Sequence, residues 1–235
     1  RGMYKLLSNL NYQPDYVSAT SPEKFENYKV LYFPYYSMLD ERIVPYLEKF
    51  LAKGGTIIAD EGFGLRDLNT WMRVGDINCA PIMKARLMER RRTRKYEEYF
   101  DFMGKKTRIL PYKSWYEVEG GKVLASFSDG TPAMHEIPSG NGKICLCGAP
   151  VGYGYEMTGD EVYEKFVDGI LSDAGIEKYK LADFKNGIYE KRCVNGDKEI
   201  IYIFNNSEEE KNFTLEGEIL SFGADAKMDG NVMTV

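Results

Sequence analysis

The sequence predicts an α/β fold in which a parallel sheet with helices on both faces is followed by a small antiparallel β-domain. Residues 28–34 and 56–59 are apolar segments separated by one amphipathic helix pattern and a Gly-Gly turn, which is the order of a βαβ unit. Beyond residue 178, short alternating segments are joined by Asn-Gly and Asn-Asn-Ser turns, a pattern typical of antiparallel hairpins. We therefore expect two domains, at residues 1–178 and 179–235.

The chain opens on a predicted helix. Apolar side chains recur at helical spacing within residues 2–10 and would form one apolar face. No signal peptide is visible, and the first residue is Arg1 rather than an initiator methionine. We therefore expect the first domain to be truncated at its N-terminus and the chain to be a fragment of a longer protein.

Two short elements precede the first buried strand. Residues 16–20 (YVSAT) favour a short strand, and Ser21-Pro22 is a start signal for a brief helix through Phe25. Residues 30–33 (VLYF) are continuously apolar, as expected for a parallel strand that is buried on both faces.

The helix of the βαβ unit is indicated by a cap, an apolar stripe and a glycine stop. Asp40 can cap it, and Pro45 lies near its first turn, where a missing N–H costs least. The apolar stripe consists of Ile43, Tyr46, Leu47, Phe50 and Leu51. Gly54-Gly55 then ends the helix with a left-handed cap, after which residues 56–59 return as the next parallel strand.

Residues 84–108 form a basic segment. They carry ten basic and four acidic side chains, a local charge of +6 in a chain whose net charge is −5. The run at residues 90–95 (RRRTRK) is followed by Glu97, Glu98 and Asp101 at helical spacings, which would partly compensate it. We interpret the segment as a solvated helix or a protein interface and expect no nucleic-acid partner.

A meander and a helix complete the first domain. Short strands alternate with glycine turns, at residues 115–118, 122–127, 133–137 and 143–147. Residues 160–171 form an amphipathic pattern that Gly175 closes. In the second domain, alternating strands are predicted at residues 186–194, 198–204 and 211–215, and Asn195-Gly196 is the strongest hairpin signal of the chain.

Composition excludes several classes of protein. The four cysteines lack a zinc-like spacing, and Cys145 and Cys147 lie on one face of a predicted strand. We interpret the cysteines as buried free thiols, with a disulfide or a metal as alternatives. No apolar run approaches the ~20 residues that span a bilayer. We expect no cofactor, no metal and no membrane partner, and a cytoplasmic location, with the periplasm or secretion left open by the start of the chain.

The candidate ligand-binding residues are Tyr35, Tyr36, Asp60 and Glu61. The elbow at residues 60–64 (DEGFG) follows a parallel strand and would lie at the carboxyl edge of the sheet, where ligands of open α/β sheets bind. Asp60 and Glu61 could act as an acid/base pair or a cation site, but capping of the following turn is the interpretation we favour. Tyr35 and Tyr36 could floor a shallow pocket for a sugar, or contact another domain.

No catalytic residue is assigned. A thiol mechanism needs a cysteine at the elbow and a neighbouring base, usually histidine. The elbow has no cysteine, and the one histidine, His135, lies on a predicted strand, where we interpret it as structural.

One pattern is carried by residues 28–34, 39–41, 50–56, Gly62 or Gly64, 128–133 and 139–143. These features together resemble the middle domain of the bacterial β-galactosidases of glycoside hydrolase family 42, and the terminal β-module is similar to the small domain that follows it. The resemblance implies a flavodoxin-like, class I glutamine-amidotransferase-like fold and a role in trimerisation. At the position of the amidotransferase cysteine this chain has Asp60 and Glu61. Residues 65–118 depart from the family pattern.

The resemblance implies that the catalytic glutamates lie on a preceding (β/α)₈ barrel, which 235 residues with one βαβ pattern cannot supply. Our hypothesis is a non-catalytic C-terminal portion of a β-galactosidase-like glycoside hydrolase. It would serve homo-oligomer assembly and shape the active-site rim of a neighbouring subunit, with its own upstream barrel as partner. One alternative is a free-standing amidotransferase-like domain that binds a small molecule or sugar at residues 34–36, 60–64 and 148–150. Another is an enzyme that uses Asp60 or Glu61 as a base.

Overall fold

A computed structural model describes residues 1–73, 80–93, 98–216, 218 and 226–235. The chain divides into two compact units. The first consists of Arg1–Leu6 and Asp15–Ile176, and the second of Leu7–Pro14 and Glu177–Val235.

The described residues contain four α-helices, three short 3₁₀ turns and fourteen strands. The helices are α1 (Gly2–Asn9), α2 (Val44–Ala52), α3 (Val151–Thr158) and α4 (Glu161–Asp173), and the 3₁₀ turns cover Pro22–Asn27, Glu41–Ile43 and Phe184–Asn186. The strands of the first unit are β1 (Val30–Phe33), β2 (Thr56–Ala59), β3 (Ala85–Arg92), β4 (Tyr99–Phe102), β5 (Lys105–Arg108), β6 (Tyr112–Val118), β7 (Lys122–Phe127), β8 (Pro132–Ser139) and β9 (Gly142–Cys147). The strands of the second unit are β10 (Ile188–Asn195), β11 (Lys198–Asn205), β12 (Asn212–Thr214), β13 (Lys227–Asp229) and β14 (Val232–Thr234).

The predicted βαβ unit is present. Strand β1 pairs in parallel with β2, so that Val30 lies opposite Thr56. The Asp40 carboxylate accepts a hydrogen bond from the Arg42 N–H at 2.9 Å and caps the 3₁₀ turn that leads into α2. After α2, Gly54 adopts a φ of +94°, the left-handed conformation expected at the glycine stop.

The main sheet is mixed rather than parallel throughout. Its seven strands follow the order β1-β2-β9-β8-β7-β4-β5, in which only β1, β2 and β9 run parallel. The α/β class is therefore confirmed, but the fully parallel sheet is wrong. The physical reason is local, since tight turns join β7 to β8 and β8 to β9, and a tight turn can connect only antiparallel neighbours.

Beside the main sheet, β3 and β6 pair as an antiparallel ribbon. One apolar core joins residues of this ribbon to the βαβ unit and to β8 and β9. Its largest fully buried members include Phe25, Phe50, Phe63 and Tyr116.

Two local predictions are wrong. Residues 16–20 form no regular strand, because the Ser18 hydroxyl hydrogen-bonds the Thr20 N–H and hydroxyl and turns the chain instead. The basic segment begins with a strand, β3, and not with a helix; residues 94–97 lie outside the described residues. Its charges have helical spacing, but pairing with β6 satisfies the backbone and overrides that pattern.

Helix α3 was missed because its glycines disfavour helix formation. Both glycines permit close packing instead. A Cβ on Gly152 would lie 2.8 Å from the Met3 nitrogen of α1, and a Cβ on Gly154 would lie 2.2 Å from the Tyr163 hydroxyl oxygen of α4. The glycines therefore place α3 against both neighbouring helices at distances that a side chain would prevent.

The second unit is built from small antiparallel sheets. Strands β10 and β11 form the predicted hairpin, which turns at Gly196 with a φ of +64°. Strands β12, β14 and β13 pair antiparallel in that order. Within this unit the Tyr179 N–H donates to the Asn11 carbonyl at 2.8 Å, which joins the segment Leu7–Pro14 to the rest.

The cysteines differ in their surroundings. Cys145 and Cys147 are free and buried, as predicted, whereas Cys193 is free and exposed, so the prediction of a buried thiol is wrong there. Cys79 lies outside the described residues. Burial raises the pKa of the Cys145 thiol to about 12. Among the described residues, no helix combines the length and apolar character needed to cross a membrane.

The close packing of α3 predicts opposite effects for two glycine-to-alanine substitutions. Gly154→Ala should destabilise the protein by about 1–3 kcal/mol, because its methyl group overlaps the buried Tyr163 ring. Gly169→Ala in α4 should stabilise it by about 0.5–1 kcal/mol, because a Cβ there meets no atom within 4 Å. Urea unfolding midpoints measure both effects; equal shifts would contradict the packing argument.

Candidate functional site

The elbow at residues 60–64 lies where parallel strand β2 ends. Gly62 and Gly64 adopt φ values of +83° and +66°, so the chain turns sharply with conformations that favour glycine. A Cβ on Gly64 would lie 2.6 Å from the Cβ of Ala80. The backbone thus places Asp60 and Glu61 at the carboxyl edge of the sheet, as the sequence predicts.

Asp60 is a buried helix cap. Its side chain accepts a hydrogen bond from the Val151 N–H at 3.0 Å, the first residue of α3, and another from the Tyr32 hydroxyl of β1. The residue is 2% exposed. Burial raises its pKa from the ordinary 3.8 to about 7, although both hydrogen bonds act in the opposite direction. Burial likewise raises the pKa of Tyr32.

Glu61 connects the elbow to the β3–β6 ribbon. Its carboxylate receives a hydrogen bond from Arg90 Nε at 2.5 Å and another from the Ser114 hydroxyl at 2.7 Å. The next residue, Gly62, donates its N–H to the Tyr116 hydroxyl at 2.9 Å. A fully buried carboxylate is costly unless it is paired, so β3 and β6 supply the partners that this position of the elbow needs.

The two carboxylates therefore diverge. Asp60 is bonded to β1 and α3, whereas Glu61 is bonded to the ribbon. Both side chains are satisfied inside the protein, and these bonds fix the surrounding elements. The described residues contain no group of three or more His, Cys, Asp or Glu side chains that could hold a metal ion.

Tyr35 and Tyr36 are separated by the structure. Tyr36 packs edge-on against the Phe33 ring, with centroids 5.4 Å apart, and lies against the apolar core. Tyr35 is 42% exposed and stacks on Tyr112, with centroids 6.2 Å apart and planes 13° apart. The Tyr35 hydroxyl accepts a hydrogen bond from Arg90, so Tyr35 and Glu61 share one guanidinium.

Tyr35 also has an unusual backbone. Its φ is +46°, in the left-handed region that residues other than glycine rarely adopt, at a cost of about 1 kcal/mol. Sequence reasoning could not identify this feature. It also missed Arg90, Tyr112 and Ser114, which reach the elbow only because β3 pairs with β6. The basic character of residues 84–108 was the one signal that could have indicated Arg90.

His135 lies in β8 opposite Leu146 of β9 and is 4% exposed. Burial lowers the pKa of its imidazole below the usual range, which favours the neutral ring. It lies among the buried residues of the sheet, in agreement with a structural role.

The buried Asp60 carboxyl predicts a pH-dependent contribution to stability. Between the ordinary carboxyl pKa and about 7, the folded protein holds one more proton than the unfolded chain. The free energy of unfolding should therefore fall as the pH rises through this window, by up to about 4 kcal/mol, and level off above it.

Asp60→Asn should remove this dependence, because asparagine can keep the bond from Val151 without titrating. Urea denaturation at several pH values measures both proteins. The unfolding free energy of Asp60→Asn minus that of the wild type should rise from pH 4 to pH 7. Asp60→Ala also removes the titrating group, and it leaves the Val151 N–H without its acceptor, so it should be less stable than Asp60→Asn by about 1–3 kcal/mol at every pH. A difference curve that is flat for Asp60→Asn would contradict the assignment.

Comparison with known proteins identifies the fold. No curated protein sequence matches the chain. The β-galactosidase of Bacillus circulans sp. alkalophilus matches 99% of the chain with a TM-score of 0.76 and 17% identity, over 36% of its own length. The cold-adapted β-galactosidase of Rahnella sp. R3 matches 92% with a TM-score of 0.74 and 14% identity, over 32% of its length.

The β-galactosidase of the haloarchaeon Halorubrum lacusprofundi matches 100% of the chain with a TM-score of 0.71 and 15% identity, over 35% of its length. At such identities these likenesses show the fold. The chain spans about a third of the length of these structures.

The family is shown by a sequence match over most of the chain. Residues 1–177 match the family described as the β-galactosidase trimerisation domain. The matched range includes residues 65–118, a segment that contains none of the motifs on which the resemblance in the sequence was based. The resemblance stated from the sequence is thereby confirmed, and this chain belongs to the β-galactosidase trimerisation domain family.

Proposed function

We propose that this chain is the non-catalytic assembly portion of a β-galactosidase-like glycoside hydrolase and that it joins copies of itself into an oligomer. The observation that carries the proposal, beyond the family, is an ordered loop with exposed apolar side chains at residues 66–73, here named the Trp71 loop. It lies directly after the elbow.

Hydrogen bonds fix the shape of the Trp71 loop. The Asp67 carboxylate accepts from the N–H groups of Asn69 and Trp71 at 2.9 and 3.0 Å, and the Asp67 N–H donates to the Trp71 carbonyl at 3.1 Å. The Arg66 guanidinium donates to the Thr70 carbonyl at 2.6 Å. At the end of the loop, Arg73 pairs with Glu41 at 2.8 Å. Such a loop loses little conformational entropy when a partner binds.

The same loop presents large apolar side chains to solvent. Trp71 is 73% exposed, Leu68 55% and Met72 45%, and Met38 on the adjoining segment is 47% exposed. Tryptophan and methionine are enriched in protein interfaces, and tryptophan is a frequent binding hot spot. Exposed apolar groups on a rigid loop therefore support a contact with another copy of the chain.

The wider setting of this role is also part of the proposal. The parent protein would carry a (β/α)₈ catalytic domain and act in carbohydrate metabolism, and the domain described here would help to shape the active-site rim of a neighbouring subunit. The proposal includes a flavodoxin-like, amidotransferase-like origin of the sheet. It is supported by the parallel strands β1, β2 and β9 and by the elbow after β2, which in this chain has no cysteine. We place the functional boundary between the two domains at residues 178 and 179.

The assembly role predicts that the full chain is oligomeric and that Trp71→Ala weakens this association. Loss of an interface hot spot costs at least about 2 kcal/mol, so the dissociation constant should rise by about thirtyfold or more. Sedimentation velocity over a range of protein concentrations measures the distribution between monomer and oligomer.

Met103→Ser is the matched control. Met103 is 84% exposed and lies in the turn between β4 and β5, away in sequence from the Trp71 loop. Its substitution should leave the oligomer intact. A wild-type chain that stays monomeric at high concentration, or equal effects of Trp71→Ala and Met103→Ser, would contradict the proposed function of this loop.

A further inference from the structure

Tyr35, Tyr112 and Arg90 form a cluster, here named the tyrosine–arginine cluster, at the carboxyl edge of the parallel strands. Tyr35 follows β1, Tyr112 opens β6 and Arg90 lies on β3. The Arg90 guanidinium carbon lies 4.5 Å from the centroid of the Tyr112 ring and 5.7 Å from that of the Tyr35 ring. Three separate chain segments thus converge on one partly exposed place.

Side-chain contacts hold Tyr35 in its strained conformation. Its hydroxyl accepts a hydrogen bond from Arg90 and its ring stacks on Tyr112. Left-handed residues other than glycine are retained where the surrounding structure over-determines them, and they concentrate in ligand sites. A glycine would satisfy the turn without strain, so the fold itself does not require a tyrosine here.

The charge of the cluster is already balanced. Arg90 pairs with the buried carboxylate of Glu61, which leaves no net charge to attract a phosphate or a carboxylate. Its bonds to Glu61 and Tyr35 use Nε and Nη2, so within the described part of the chain the two N–H groups of Nη1 remain available as donors. The cluster therefore offers a flat aromatic face beside the N–H donors of Arg90, whose charge is balanced by Glu61.

We propose that the tyrosine–arginine cluster is a binding site for a pyranose sugar. The apolar face of the sugar ring lies on the exposed Tyr35 ring, and its hydroxyl groups accept from Arg90 Nη1 and exchange hydrogen bonds with the tyrosine hydroxyls. The site involves Tyr35 of the four residues predicted from the sequence. It replaces Tyr36, Asp60 and Glu61, which face inward, with Tyr112 and Arg90.

The test is a titration of the full chain with methyl β-galactopyranoside. Saturation-transfer NMR and the chemical shifts of the tyrosine rings measure the binding. We expect a dissociation constant on the order of 1 mM, because one sugar ring on an open surface buries little area. Methyl β-glucopyranoside tests selectivity between sugars. Sorbitol, a flexible polyol without a ring, should not bind.

Two variants and one matched control locate the site. Tyr112→Ala and Tyr35→Gly should each weaken binding by about tenfold or more. Tyr35→Gly also relieves the left-handed backbone, so the variant should still unfold cooperatively. The control is Tyr16→Ala: Tyr16 stacks on Tyr4 with the same centroid distance of 6.2 Å and angle of 13°, and no described cation lies over either ring. Its substitution should leave sugar binding unchanged.

Several results would overturn the proposal. They are a wild-type chain that does not respond to either pyranoside, equal binding of sorbitol, or unchanged affinity in Tyr35→Gly and Tyr112→Ala. A shift in oligomeric state with unaltered sugar binding in these variants would identify the cluster as a protein contact instead. Because the titration reads sugar binding directly, its outcome is independent of whether the Trp71 loop mediates assembly.

Discussion

The carboxyl groups of Asp60 and Glu61 are both buried at the end of β2. The arrangement of the first unit depends on the hydrogen bonds and the ion pair that compensate this burial. Asp60 takes its hydrogen bonds from β1 and from the first turn of α3, while Glu61 takes an ion pair and a hydroxyl from the β3–β6 ribbon. A buried carboxylate without such partners would cost several kcal/mol. Strand β1, helix α3 and the β3–β6 ribbon are therefore held in place by the need to pair two consecutive buried residues, Asp60 and Glu61.

Local signals were sufficient to predict the βαβ unit. The apolar strand at residues 30–33, the cap at Asp40 and the glycine at position 54 are each read within a few residues, and the structure has all three. The ribbon could not be read in this way. Whether residues 85–92 form a helix or a strand is decided by pairing with β6, whose partner residues lie twenty or more positions later in the chain. Periodicity within the basic run does not report this pairing.

The candidate site shows the same division. The position of Asp60 and Glu61 at the carboxyl edge followed from the order of strand and elbow. Their partners did not, because Tyr32, Ser114 and Arg90 belong to three different strands that meet only after folding. The exposure of Tyr35 and the partial burial of Tyr36 against the core could not be predicted from the sequence either, since two adjacent aromatic residues in a loop carry no signal of which one turns inward. Helix α3 was missed for a related reason, as its glycines are selected by the closeness of neighbouring helices and not by helix propensity.

The reactivity of the two buried thiols of β9 can report on local opening around the main sheet. Thiolate is the reactive form of cysteine, and the pKa of Cys145 near 12 leaves almost none of it at neutral pH. Cys147 is fully buried in the same strand, between the parallel and antiparallel halves of the sheet. Side chains project from the faces of a sheet, so neither thiol can meet an alkylating reagent until the residues that cover this face move away. The rate at which these positions become modified therefore measures how often this face of the sheet is uncovered, whereas Cys193 is exposed and reacts without any such event.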